Sequence, residues 1–91
     1  MTKEKLLVII AQYEELLAPY PPKKLERYDV HPETDEAFLR HCHWMLGEMR
    51  ERVLQGHVKK AFRWLGFIQG VLAGRNLRTI TQLREDSRSS S

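Results

Sequence analysis

The sequence predicts an all-α protein: an antiparallel helical hairpin of two long helices, with an N-terminal helix packed on it and a short C-terminal helix. Apolar residues recur at spacings of three and four in three long segments, and capping residues precede the first two of them. No segment shows the sustained alternation of apolar and polar residues that is typical of β-strands. We expect a single helical domain over residues 1–86 and a disordered tail at residues 87–91.

The first predicted helix begins after the capping residue Thr2 and runs to about Leu17, with one apolar stripe along its length. Residues 18–33 follow as a connection that contains four prolines. Proline lacks a backbone N–H and disfavours helical conformation at the residue before it. We therefore expect residues 18–33 to form an extended segment that wraps the domain.

The second and third helices form the predicted hairpin. The second begins after Thr34 and runs to about Gln55, where Gly56 provides a left-handed stop. The third runs from about Val58 to Ala73. Because so few residues separate two long helices, we expect them to pack antiparallel.

The fourth predicted helix is short. Residues 79–82, Thr-Ile-Thr-Gln, match a capping box, in which the threonine and the glutamine exchange hydrogen bonds at a helix start. This helix is expected to run through about Glu85.

Composition limits the class of protein. The chain has 91 residues, 42% of them hydrophobic and 30% charged, and a net charge of +3, which together are typical of a soluble, mildly basic domain. Its single cysteine, Cys42, excludes an internal disulfide and fits a reducing compartment. The apolar run at residues 6–11 is far shorter than the roughly 18 residues that span a bilayer. We expect a cytoplasmic protein with no membrane partner.

Three glycines interrupt one side of the third helix. Gly66, Gly70 and Gly74 fall on its polar half, close to Lys59 and Arg63. Glycine costs up to about 1 kcal/mol relative to alanine inside a helix, so the stripe calls for an explanation. We favour close packing of another helix, either the first helix or one from a second subunit. A site where Lys59 and Arg63 meet an anionic ligand is the alternative, and tolerated helix imperfection is a third.

Trp44 is the second unusual position, because it falls on the polar side of the second helix with Arg40 and Glu48. Tryptophan is enriched among the residues that dominate protein interfaces. Trp44 is therefore a candidate interface anchor, with Arg40 and Glu48 beside it. The alternative is that residues 18–33 or the first helix cover it. Apolar residues on more than one side of the hairpin favour a homo-oligomer.

No constellation in the sequence predicts catalysis, a cofactor or a metal. His41 and His43 point about 200° apart on a helix, so they cannot share one ion. Cys42 lies on the buried seam of the second helix, which argues against a nucleophile. We expect the protein not to be an enzyme.

Nucleic-acid binding is a further possibility, since basic and aromatic residues occur together on the connection. The basic candidates are Lys23, Lys24 and Arg27 with Tyr20 and Tyr28, then Lys59, Lys60 and Arg63, and finally Arg75, Arg78 and Arg84.

A distinctive motif lies between His41 and Leu83. It consists of a His and a Met on one helix, the run Lys-Ala-x-Arg-Trp-Leu-Gly-Phe-Ile-Gln-Gly, and a Thr-Ile-x-x-Leu segment. These positions are His41, Met45, Lys60, Ala61, Arg63, residues 64–70, Thr79, Ile80 and Leu83. In this motif the chain resembles a group of small bacteriophage and prophage proteins of uncharacterised function, over about half of its length.

The resemblance implies an accessory protein that acts in a bacterial cytoplasm by binding. Our leading hypothesis is a non-enzymatic protein that binds a host macromolecule as an inhibitor or modulator. The first alternative is an oligomeric sponge for an anionic nucleotide signal in counter-defence, which would use Lys59 and Arg63 with Tyr13 or Lys23. The second alternative is a nucleic-acid-binding regulator.

Overall fold

The computed structural model describes residues 2–88, and over that range the chain forms four helices and no β-strand. The helices are α1 (Lys3–Leu16), α2 (Asp35–Leu54), α3 (Val58–Gly74) and α4 (Ile80–Ser87). The predicted all-α class is confirmed. None of the four helices combines the length and the apolarity that crossing a bilayer requires.

Threonine side chains start three of the helices. Thr2 Oγ1 accepts a hydrogen bond from the Lys5 N–H, at 3.0 Å, and Thr34 Oγ1 does the same for α2. At α4, Thr79 and Gln82 exchange hydrogen bonds of 2.9 and 3.1 Å, so the predicted capping box is confirmed. These bonds satisfy backbone donors that a helix start leaves unpaired.

Gly56 ends the second helix as predicted. Its φ of 88° lies in the left-handed region, which glycine adopts without the steric cost that a Cβ would impose. Residues 55–57 are the whole connection between α2 and α3. A reversal this short keeps the two helices side by side.

Helix α2 is the centre of the fold, since it packs against both α1 and α3. The core between the three helices is mostly aliphatic. Its buried members are Leu6, Ile9, Ile10, Tyr13, Leu17, Leu39, Cys42, Met45, Leu46, Met49, Val53, Ala61, Leu65, Ile68 and Leu72. Neither tryptophan of the chain belongs to this set; Trp44 and Trp64 are partly buried and pack against the core from outside.

Contacts between α2 and α3 follow a clear order. From the start of α2 onward they join Asp35 to Arg75 at 3.0 Å, the Phe38 ring to the Phe67 ring at 5.8 Å, and the Trp44 ring to the Trp64 ring at 6.5 Å. Early residues of α2 therefore meet late residues of α3.

Helix α4 is held by polar contacts to buried Tyr13. The Tyr13 hydroxyl donates to Asp86 Oδ2 at 2.7 Å and accepts from Gln69 Nε2 at 3.2 Å, and Arg78 Nε donates to Asp86 at 2.9 Å. Burial, with the adjacent Asp86 carboxylate, raises the pKa of Tyr13 to about 12. The Arg78 guanidinium holds the pKa of Asp86 below its usual range.

The fourth helix is longer than predicted. It reaches Ser87, which was predicted to belong to a disordered tail. The end of the helix is secured because Gln69 Nε2 donates a hydrogen bond to Ser87 Oγ at 2.9 Å. The rest of the predicted tail, apart from Arg88, lies outside the described residues.

The Tyr13 contacts predict the stability of a variant. Tyr13→Phe removes the hydroxyl that Asp86 and Gln69 share, and we expect the free energy of unfolding at neutral pH to fall by about 1–2 kcal/mol. Urea denaturation followed by circular dichroism measures this change.

The same side chain predicts a dependence on alkaline pH. Between pH 10 and about 12 the unfolded chain loses the Tyr13 proton while the folded chain keeps it, so the stability of the unmodified protein falls as the pH rises. Tyr13→Phe lacks this contribution, so its stability should fall less steeply over that interval. Parallel slopes for the two proteins would contradict the assignment.

Candidate binding groove

The connection between α1 and α2 lies along α2 and is fixed to it by hydrogen bonds. Three polar contacts join them: His43 Nδ1–H donates to the Tyr20 carbonyl at 2.7 Å, the Lys23 N–H donates to the Arg40 carbonyl at 3.1 Å, and the Leu25 N–H donates to His41 Nδ1 at 3.1 Å. The segment forms neither helix nor strand between residues 21 and 33, as its prolines predict. Residues 20–25 therefore make a strap across α2.

His41 is the residue on which the strap rests. Its side chain is almost buried, and because Nδ1 accepts the Leu25 N–H, the proton of the neutral ring is on Nε2. Burial and the charge of Lys24 lower the pKa of His41. Its ring stacks on Trp44 at 5.4 Å and meets Tyr28 edge-on at 5.5 Å.

An open groove of about 640 Å³ lies between residues 25–32 of the connection and helices α2 and α3. Seven aromatic rings line it: Tyr28, His31, Phe38, His41, Trp44, Trp64 and Phe67. Leu25, Arg27, Val30, Pro32 and Met45 complete the wall. We call this surface the aromatic groove.

Most of these rings lie outside the aliphatic core. Phe38, Trp44 and Trp64 are half-buried and pack against the core from one side, whereas Phe67 is 47% exposed and Tyr28 is 67% exposed. The hydrophobic effect drives large aromatic side chains inward when a core has room for them. An exposed aromatic cluster beside a complete core is the feature expected of a binding surface.

The groove has cations at its edge. Lys24 Nζ lies 5.2 Å from the centre of the Trp44 ring, and Lys60 Nζ lies 5.3 Å from that of Trp64. Both distances are typical of cation–π contacts. Two arginines are also close, but Arg27 is paired with Asp29 and Arg75 with Asp35. None of the twelve lining residues is a carboxylate, so the groove offers hydrogen-bond donors and positive charge.

Of the predicted site residues, Trp44 lines the aromatic groove and the others do not. Lys24 of the strap lies over the Trp44 ring. The role of Trp44 as an interface anchor stays a prediction. Arg40 accepts the strap's Lys23 N–H through its carbonyl and pairs with Glu36 through its guanidinium. Glu48, Lys59 and Arg63 do not line the groove.

The glycine stripe is open. Gly66, Gly70 and Gly74 are exposed, and a Cβ built on any of them meets no atom within 4 Å. The first helix packs on α2 instead, so the prediction that it fills the stripe is wrong. Packing against a second subunit, or against a ligand near Lys59 and Arg63, stays a prediction.

Sequence reasoning missed most of the groove. Phe67 falls on the apolar half of the third helix in the sequence, whereas the buried residues of that helix are Ala61, Leu65, Ile68 and Leu72. Trp64, Phe67 and Val71 form a second apolar stripe beside the core stripe. An apolar surface wider than the core requires was the feature of the sequence that could have indicated the groove. The sequence offered coverage of Trp44 by residues 18–33 as one alternative, but it did not indicate that Lys24 would lie over Trp44 or that Tyr28 would contact His41.

Two groups that suggested chemistry have structural roles. Burial raises the pKa of the Cys42 thiol to about 12, so the thiol is protonated and unreactive near neutral pH. His41 and His43 each contact the strap separately. Across residues 2–88, no three His, Cys, Asp or Glu side chains are placed to hold one metal ion.

Comparison of the chain with protein-family models, with curated proteins and with solved structures finds no significant match.

The open stripe predicts stabilising substitutions. Gly66→Ala and Gly70→Ala should each raise the free energy of unfolding by up to about 1 kcal/mol, because alanine favours the helix and its methyl group meets no neighbour. Gly47→Ala in α2, where space is also free, is the matched control and should stabilise similarly. Destabilisation confined to the two α3 variants, with fewer subunits by light scattering, would show instead that a second subunit packs on the stripe.

The environment of His41 predicts its titration. An NMR titration should give His41 a pKa below 6.5, because protonation buries charge and breaks the bond from Leu25. As the pH falls below about 6.5, His41 becomes protonated in the unfolded chain before it does so in the folded chain, and the free energy of unfolding should therefore decrease. Lys24→Met should raise the pKa of His41, and an unchanged value would contradict the placement of Lys24.

Proposed function

We propose that this chain is a non-enzymatic bacteriophage or prophage accessory protein that acts in the bacterial cytoplasm by binding a host macromolecule in the aromatic groove. One observation carries the proposal: seven aromatic rings from three segments converge on an open surface beside a buried core to which the two tryptophans do not belong. The phage setting rests on the sequence resemblance of the motif at residues 41–83.

The groove has the properties of a binding site. Its volume of about 640 Å³ lies in the range of clefts that hold ligands or anchor side chains. Trp44 is its central residue, since it contacts His41, Trp64 and the Lys24 ammonium. Tryptophan contributes large contact area with few rotatable bonds, which favours its use as an anchor.

The proposed site also has a rigid floor. The order of contacts between α2 and α3 supports the predicted antiparallel hairpin, and both tryptophans stand on that hairpin rather than on loops. Side chains on packed helices lose little further entropy on binding, which preserves affinity.

The contacts of Cys42, His41 and His43 support a protein without catalytic activity. The Cys42 thiol is buried and protonated. Nδ1 of His41 accepts a hydrogen bond from the backbone of the strap, and Nδ1 of His43 donates one to it. Binding through the groove requires neither a nucleophile nor a cofactor.

The second candidate function is sequestration of an anionic nucleotide by an oligomer. Lys24 and Lys60 favour it, because each stands over a tryptophan on which a base can stack while the ammonium meets phosphate. In this candidate the exposed glycine stripe, with Lys59 and Arg63, is the subunit contact. A regulator that binds nucleic acid through the same groove would require affinity that falls steeply with salt.

The proposal predicts the behaviour of Trp44→Ala. When tagged protein is cross-linked in a bacterial lysate, the variant should recover its partner at least about tenfold less than the unmodified protein, as expected for loss of an interface anchor. Quantitative mass spectrometry of the captured proteins measures the ratio.

Val8→Ala is the control, since Val8 is exposed and apolar but lies on α1 outside the groove. Equal recovery by all three proteins would place the binding surface elsewhere. A partner lost with Val8→Ala and kept with Trp44→Ala would do so as well.

A further inference from the structure

The charge at the edge of the aromatic groove limits what can bind there. Lys24 and Lys60 are exposed, and over residues 2–88 neither ammonium forms an ion pair with a carboxylate. A cation–π contact uses the charge of an ammonium but leaves its N–H donors available. Each lysine is therefore held over a tryptophan with donors free for an acceptor from outside.

From this arrangement we propose that the groove binds an acidic segment of a partner protein. A bulky apolar side chain of the segment packs among Trp44, Trp64 and Phe67, and flanking carboxylates pair with Lys24 and Lys60. The inference rests on the proposed function, since it names the chemistry of the macromolecule that the groove binds.

The absence of lining carboxylates supports this occupant. A basic partner would place its charge against the ammonium groups of Lys24 and Lys60, which is a repulsive arrangement. A neutral apolar partner would cover both ammonium groups without replacing their water, at a cost in desolvation. An acidic segment satisfies the donors and the charge together.

The wall of the groove favours a protein segment over a nucleic acid. Leu25, Val30, Pro32 and Met45 add aliphatic surface that bases and phosphates use poorly. The two arginines near the groove are already paired with Asp29 and Asp35, which leaves two lysines for phosphate. Proteins that bind nucleic acid tightly commonly neutralise about 6–10 phosphates.

Selection from a random peptide display library, with the full chain immobilised, tests the proposal. The unmodified protein should enrich peptides in which Asp or Glu flanks Phe, Leu or Trp. The double variant Lys24→Glu/Lys60→Glu should lose this preference and enrich Lys or Arg instead. A synthetic peptide chosen by the unmodified protein should bind the double variant at least about tenfold more weakly, because attraction becomes repulsion at two positions.

The control is Lys3→Glu/Arg84→Glu, which changes the net charge equally at two exposed positions outside the groove. It should retain the acidic preference, and circular dichroism should show all three proteins equally helical. Loss of acidic peptides by the control as well would overturn the proposal, since only net charge would then matter.

The remaining outcomes distinguish this inference from the proposed function. Peptides without acidic enrichment that still require Trp44 would overturn the acidic partner and leave the groove as a binding site. Enriched peptides that bind Trp44→Ala equally well would overturn both. Salt-sensitive binding of an oligothymidylate, lost in Lys24→Glu/Lys60→Glu, with no peptide enriched, would replace the acidic segment by nucleic acid.

Discussion

The hydrogen bond from the Leu25 N–H to His41 Nδ1 is the contact on which the aromatic groove depends. It ties the proline-rich connection to the N-terminal half of α2, and with it the side chains that form one wall of the groove. The bond requires an unprotonated Nδ1, which the burial of the ring favours. Lys24 and Tyr28 reach Trp44 and His41 because their backbone is anchored here. Two further hydrogen bonds, from His43 to the Tyr20 carbonyl and from the Lys23 N–H to the Arg40 carbonyl, hold the same segment to α2.

Helix α2 has two structural roles, since it contributes residues both to the core and to the groove. One face holds the aliphatic core against α1 and α3, and the adjacent face carries Phe38, His41 and Trp44 toward the strap. Met45 belongs to both the core and the groove wall, whereas the exposed rings of Tyr28 and Phe67 belong to the groove alone. Substitution of these two exposed rings should therefore change the groove more than the stability of the fold.

The fold was predictable from local patterns, and the site was not. Thr2, Thr34 and Gly56 mark helix ends through short-range hydrogen bonds and backbone sterics, which sequence shows directly. The path of residues 20–25 depends on backbone contacts with α2 that no periodicity encodes. Trp44 was recognised as unusual, yet its neighbours come from three separate segments. The exposure of Phe67 depends on how α3 is rotated against α2, which a helical wheel leaves undetermined.

Amide hydrogen exchange at Leu25, resolved by NMR, tests the central claim most directly. If the strap is fixed to His41, the Leu25 amide should exchange far more slowly than that of the exposed neighbour Glu26, and Lys23 should be protected as well. Protection at Leu25 should also disappear when His41 is protonated at acidic pH. Exchange of the Leu25 and Lys23 amides at the rate of an unstructured peptide at neutral pH would mean that the strap is not fixed to α2, and the groove as described would not exist.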